Sequence, residues 1–84
     1  MTQDELKAIK SDKIVDARGS SCPGPLLEAK KGIGAVAVGQ IIEILANDPG
    51  TKKDIPAWSS KVGQECLGVI EDPSYDRIFV KRLK

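Results

Sequence analysis

The six-residue run Ile41–Ala46 is the most apolar stretch of the chain, and it constrains the fold more than any other feature. It is bounded by Gly39 on one side and by Asn47-Asp48-Pro49-Gly50 on the other. A short apolar run between turn residues is typical of a strand buried inside a sheet. We therefore interpret Ile41–Ala46 as a central strand.

Three further runs have the pattern of strands. Lys13–Ala17 is rich in β-branched residues and ends at Arg18-Gly19, so it predicts a first strand. Near the other end of the chain, Cys66–Glu71 and Arg77–Leu83 flank a segment of turn residues and predict a hairpin. The sequence therefore predicts a sheet of four strands.

Two segments between the strands have helical periodicity. The first runs from about Pro25 to Val36, and its apolar face is Leu26, Ala29, Ile33 and Val36. The second begins between Thr51 and Asp54, ends at about Val62, and has Ile55, Trp58 and Val62 on one face. Pro56 is best tolerated in a first turn, which favours the start at Asp54. Gly63 is then placed to end this helix in the left-handed conformation.

The predicted order is strand, helix, strand, helix, strand, strand. Two helices cover one face of a four-stranded sheet better than both faces, so we expect an α+β two-layer sandwich. The opposite face of the sheet should then be open to solvent or to a partner. Residues 13–84 form one domain, and residues 1–12 are a polar tail or a short helical turn, for which Thr2 and Glu5 have the spacing of a capping box.

Composition excludes several functions. Thirteen basic and twelve acidic residues give a net charge of +1, so no global field recruits nucleic acid or an anionic membrane. Without a signal-peptide pattern or a long apolar run, we expect a cytoplasmic protein. Two cysteines and no histidine argue against a disulfide scaffold, a zinc site, a dithiol pair or a histidine-assisted cysteine protease. We expect no metal and no cofactor.

The segment Ser20–Pro25 carries the candidate chemical centre, Cys22. Pro25 suits a first helical turn because it has no N–H to lose and its φ is already helical. A cysteine just before that turn faces unpaired N–H groups and the positive end of the helix dipole, and both favour the nucleophilic thiolate. Pro23, Gly24 and Pro25 support this loop and stiffen it.

These residues belong to a longer set that resembles a known family. The set is Asp16-Ala17-Arg18-Gly19, Cys22-Pro23-Gly24-Pro25 (a Cys-Pro-x-Pro motif), Gly39, Asn47-Asp48-Pro49, Asp54-Ile55-Pro56 before Trp58, and Gly63. In this order the sequence resembles the TusA/SirA-like family of small sulfur-carrier proteins, over roughly residues 13–83. There are two departures. Ser20 stands where leucine is common, and Ser59 stands where some members have a cysteine, so a relay that needs that second thiol is absent.

The resemblance implies a mixed four-stranded sheet with two helices on one face. It also implies that Cys22 accepts sulfane sulfur as a persulfide from a cysteine desulfurase or rhodanese-type donor protein and passes it to an acceptor protein. Such a protein works as a stoichiometric carrier more than as a turnover enzyme. It could serve tRNA thiolation, cofactor sulfuration or sulfur oxidation. The alternatives are a regulatory or nucleic-acid- or protein-binding module that uses the open sheet face, and a redox enzyme with Cys22 as a peroxidatic thiol.

The remaining candidate residues each have two interpretations. Arg18, Lys52 and Lys53, with Lys61, either line the site and attract an anionic persulfide or an acidic partner, or are ordinary solvated charges. Trp58 is either a core residue or a contact residue. Cys66 opens an apolar strand and is interpreted as core packing, with a resolving thiol or a Cys22–Cys66 disulfide as the alternatives.

Overall fold

The computed structural model describes residues 2–20 and 24–84. Their elements are α1 (Gln3–Lys7), β1 (Lys13–Asp16), α2 (Gly24–Gly34), β2 (Ile41–Ala46), α3 (Thr51–Lys61), β3 (Glu65–Glu71) and β4 (Asp76–Lys81). The order of strands and helices from β1 onward is the predicted one. Within these residues, no helix has the length and apolar character needed to cross a membrane.

The four strands form one mixed sheet in the order β1-β2-β4-β3. β1 lies parallel to β2, whereas β4 is antiparallel to both β2 and β3. The central place of Ile41–Ala46 is confirmed, since β2 pairs on both sides. The register between β3 and β4 shifts between Cys66 and Gly68, which leaves Leu67 as an extra residue in a β-bulge.

The two longer helices pack on one face of the sheet, as predicted. Their buried residues Ala29, Ile33 and Ile55 join a core whose strand members are Val15, Ile42, Ile44, Ile78 and Val80. At Gly32 the backbone of α2 approaches β1 closely, because a Cβ on this residue would lie 2.5 Å from Val15 Cγ2. Only a residue without a side chain allows that approach.

The expectation of an open opposite face is wrong over β3 and β4, because α1 packs there. Leu6 is 1% exposed and forms a second apolar cluster with Ile70 and Phe79. Thr2 and Glu5 form the reciprocal capping box that begins α1, and the Gln3 side-chain amide donates to the carbonyl of Val69 at 2.8 Å. The polar N-terminus therefore contributes one buried anchor to the fold.

The predicted start of α3 at Asp54 is wrong. The helix begins at Thr51, and the N–H groups of Lys53 and Asp54 already donate to the carbonyl of Gly50. Pro56 thus lies inside the helix, where its cost is one missing backbone hydrogen bond.

The predicted inner face of α3 is correct in part. Ile55 is buried and Trp58 is half-buried against the core, but Val62 is 42% exposed and Ser59 is buried in its place. The Ser59 hydroxyl donates to the carbonyl of Pro56 at 2.9 Å, so this buried polar group is satisfied. Gly63 has a φ of 80°, as predicted for the helix end.

Helix α2 ends at Gly34, two residues before the predicted Val36. A side chain from near the C-terminus donates to two carbonyls, one in the last turn of α2 and one just after it. The Arg82 guanidinium donates to the carbonyls of Ile33 and Val36 at 3.2 and 2.5 Å. Gly32 and Gly34 lower helix propensity in this turn, and Arg82 supplies the compensating contact.

Candidate functional site

The predicted reactive loop is described through its two flanks. Cys22 and Pro23 lie outside the described residues, as does Ser21. On the downstream side, α2 begins at Gly24. Pro25 is buried in the first turn of this helix, where a missing N–H costs no hydrogen bond. Helix α2 therefore begins two positions after Cys22 in the sequence.

The upstream flank is a tight turn at the end of β1. The N–H of Ala17 donates to the carbonyl of Leu45 at 2.8 Å, which is the last backbone bond from this segment to β2. The N–H of Ser20 then donates back to the carbonyl of Ala17 at 3.2 Å. Gly19 has a φ of 86°, a left-handed conformation that side chains disfavour, so glycine suits this turn.

Arg18 is engaged on two sides. Its Nε and Nη2 each lie 2.9 Å from a carboxylate oxygen of Asp16, and its guanidinium lies 5.0 Å from the centre of the Tyr75 ring. These hydrogen bonds lower the pKa of Asp16 from its usual 3.8 to about 2. Arg18 thus ties the end of β1 to the β3–β4 turn, and two of its five N–H donors are used by Asp16.

Asn47 connects the upstream flank to the β2–α3 loop. Its Oδ1 accepts a hydrogen bond from the N–H of Gly19 at 2.9 Å. This contact places the loop after β2 beside the turn that follows β1. In the sequence Asn47 stands out only as a turn residue and as the first member of the motif Asn47-Asp48-Pro49, which is the signal that could have found it.

The candidate lysines of α3 are placed differently from one another. Lys52 forms an ion pair with Glu71 at 3.8 Å, at the end of β3. Lys53 is exposed in the first turn, and Lys61 is exposed in the last. The structure therefore does not bring the three lysines together at one point, and a site-lining role for Lys52 and Lys53 stays a prediction.

A groove of about 390 Å³ separates α2 from α3 on the outer side of the two helices. Leu26, Lys30, Asp54, Ala57, Trp58, Lys61 and Val62 line it. Leu26 is in the first turn of α2, so the groove reaches the helix end that follows the cysteine loop. Trp58 packs against the core and also lines this groove, so its position fits both a core residue and a contact residue.

Cys66 is a free, half-buried cysteine at the other end of the sheet. Cys66 pairs with Val80, and Val80 pairs with Ile42. The last residue of β1 pairs with Leu45, three residues further along β2, so Cys66 lies away from the end of β1. Burial raises the pKa of the Cys66 thiol, which disfavours the reactive thiolate. Its interpretation as core packing agrees with its place against the main apolar cluster.

The charged groups of the described residues do not form a metal site. In residues 2–20 and 24–84, no three His, Cys, Asp or Glu side chains cluster as ligands would.

Comparison with known proteins identifies the family. The family described as "Sulfurtransferase TusA" matches residues 13–82. The chain is 35% identical over 71 residues to the sulfur carrier protein TusA of Allochromatium vinosum, covering 84% of this chain and 93% of that protein. It is 49% identical over 71 residues to a protein of Archaeoglobus fulgidus, covering 84% and 97% of the two chains.

The fold has a solved counterpart as well. A SirA-like protein from Desulfitobacterium hafniense superposes with a TM-score of 0.74 at 18% identity, covering 86% of this chain and 99% of that one. The mixed sheet with its helices is thus the fold of that protein. The chain belongs to the TusA family of sulfur carriers.

Proposed function

We propose that Cys22 is the residue on which this sulfur carrier holds its cargo, as a persulfide. The observation that supports this most is the start of α2 at Gly24, two positions after Cys22, with Pro25 in the first turn. The first N–H groups of a helix have no intrahelical partners, and together with the dipole they favour an anion. Both the thiolate and the persulfide of Cys22 are such anions.

The transfer needs no histidine. The Cys22 thiolate attacks the outer sulfur of a donor persulfide, a new S–S bond forms at Cys22, and the donor's S–S bond breaks. The inner sulfur of the donor persulfide leaves as a thiolate. Protonation of the two sulfurs then depends on their pKa values, and no net oxidation occurs. Delivery repeats the exchange with Cys22 as the leaving thiolate and an acceptor as the nucleophile. A chain without histidine can carry out both steps.

The partners are then two proteins. A persulfide-bearing enzyme of the cysteine desulfurase or rhodanese type loads Cys22 in the cytoplasm, and an acceptor protein unloads it. The groove beside the first turn of α2 supports contact with proteins of this kind, because apolar side chains line it together with the charged Lys30, Lys61 and Asp54. The protein turns over only as a carrier, once per sulfur atom delivered.

Intact-mass spectrometry tests the assignment of the cargo to Cys22. After incubation with a persulfide-loaded rhodanese and removal of the donor, the chain should gain the mass of one sulfur atom, and dithiothreitol should remove it. The Cys22→Ser variant should gain none, whereas the matched Cys66→Ser variant should load like the original chain. Equal loading of the Cys22→Ser variant would overturn the assignment.

The alternative of a binding module that uses an open sheet face loses its main support, because α1 covers part of that face. The alternative of a peroxidatic Cys22 would need a resolving thiol. Cys66 is half-buried in the core cluster and does not supply an accessible one.

A further inference from the structure

The backbone of Asn47 is held by its neighbour in the sheet. It directly follows Ala46, which is buried and pairs with Asp76 in the β2–β4 ladder. Its side chain has only two rotatable bonds, so Oδ1 stays close to the position that the ladder sets. Asn47 is therefore a fixed acceptor at the sheet edge where the chain leaves β1.

Asn47 binds the backbone N–H of Gly19, a residue with a wide range of allowed backbone conformations. Gly19 has no side chain and adopts a left-handed φ, so its own conformational preferences do not fix the direction of the chain. Its N–H donates to Asn47 Oδ1 at 2.9 Å, three positions before Cys22 in the sequence. This hydrogen bond is a direct link from the sheet to the segment that carries the cysteine.

Neighbouring contacts restrict what else could hold this segment. Arg18 is tied to Asp16 and stacks on Tyr75, so the residue before Gly19 is anchored on the β3–β4 side. Asn47 and Tyr75 line the same small cleft, of about 160 Å³. The hydrogen bond at Gly19 therefore fixes the chain one residue before the last described residue of the upstream flank, Ser20.

We propose that Asn47 is a positioning residue for sulfur transfer, which acts through the Gly19 N–H and thereby raises the reactivity of Cys22. The inference rests on the proposed function of Cys22. Asn47 itself touches no sulfur in this scheme. Its loss should slow the chemistry of Cys22 and leave the fold intact, because Asn47 is exposed and no core contact depends on it.

The test measures the reactivity of Cys22 without a partner protein. Asn47→Ala should lower the rate of Cys22 alkylation by iodoacetamide, followed by peptide mass spectrometry, by about three- to tenfold, and should lower sulfur loading from inorganic polysulfide by a similar factor. Asn47→Asp keeps an oxygen acceptor at the same position and should recover most of both rates. A small reagent reports on the loop alone, since no docking surface is needed.

The matched control is Gln40→Ala, which removes a hydrogen bond of the same kind, from the Ala37 N–H to Gln40 Oε1 at 2.7 Å, at a site away from the cysteine loop. This variant should leave both rates unchanged, and all variants should keep the original melting temperature within a few degrees. Unchanged rates in Asn47→Ala, with Cys22 still the loaded residue, would overturn the positioning role alone. Sulfur loading that ignores Cys22 would instead overturn the proposed function.

Discussion

At the residue scale, charge pairs near the candidate site are mostly internal to the protein. Asp16 and Arg18 pair with each other, Lys52 pairs with Glu71, and Glu43, 6% exposed, accepts from Arg77 Nε at 2.8 Å. Both carboxylate oxygens of the buried Glu43 are hydrogen-bonded, because the second one accepts from the Ser11 hydroxyl at 3.1 Å. Arg18 and Lys52, which look like free charges in the sequence, are thus paired within the protein.

The Asp16–Arg18 pair gives a prediction that depends on pH. The pKa of Asp16 lies at about 2, below its usual 3.8, chiefly because the Arg18 side chain donates to the carboxylate. A depressed pKa means that the pair's contribution to stability is present above about pH 4 and is lost as the pH falls through about 2. Arg18→Gln should raise the pKa of Asp16 toward its usual value in an NMR titration of the carboxyl carbon. A pKa that stays near 2 in this variant would contradict the cause assigned to it.

Single residues also mark the limit of prediction from the sequence. The place of Pro25 could be predicted from local rules, because a proline in a first helical turn needs only its neighbours. The partners of Arg18 and Asn47 could not, since Tyr75 and Gly19 reach them through the pairing of strands far apart in the sequence. The prediction that Val62 lies on the inner face of α3 was wrong for a related reason. Periodicity predicts which face of a helix is apolar, but the extent of the sheet decides how far along the helix that face is buried.

At the element scale, the least predictable feature is α1. The capping box of Thr2 and Glu5 indicates a helical turn locally, but its docking depends on Gly68 in the β3 bulge. A Cβ on Gly68 would lie 2.8 Å from Leu6 Cδ1, and the φ of Gly68 is 151°. The bulge and the glycine together make room for Leu6. No local pattern in residues 2–9 encodes that complementarity.

This contact predicts a large effect for a small element. Leu6→Ala should lower the free energy of unfolding by about 2–4 kcal/mol in urea titrations, because it leaves a cavity against Ile70 and Phe79. Leu27→Ala is the matched control: the same change at a residue 51% exposed on α2 should cost less than about 0.5 kcal/mol. Equal effects of the two substitutions would show that α1 does not hold the second apolar cluster.

At the scale of the whole molecule, Cys66 and the segment that precedes Cys22 lie at opposite ends of the sheet. The chain leaves β1 at the edge where Asn47 accepts a hydrogen bond from Gly19. Cys66 lies in the row of Lys13, Ile42 and Val80, three residues back along the strands, or about 10 Å at the usual rise. It also packs beneath the helices against the main core. One end of the sheet thus lies next to the segment proposed to carry the exchange chemistry, and the other holds a half-buried thiol.

The separation predicts how the two thiols respond to an alkylating reagent. Because burial raises the pKa of Cys66 above its usual 9.0, its thiolate fraction at pH 7 is smaller than that of an exposed cysteine, and its modification should stay slow until urea unfolds the chain. Peptide mapping after brief treatment with iodoacetamide at pH 7 should therefore find the label at Cys22, at least tenfold ahead of Cys66. In urea the two rates should converge, since unfolding removes both the helix start at one cysteine and the burial of the other. Comparable labelling of both cysteines in the folded chain would contradict the assignment of one reactive and one structural thiol.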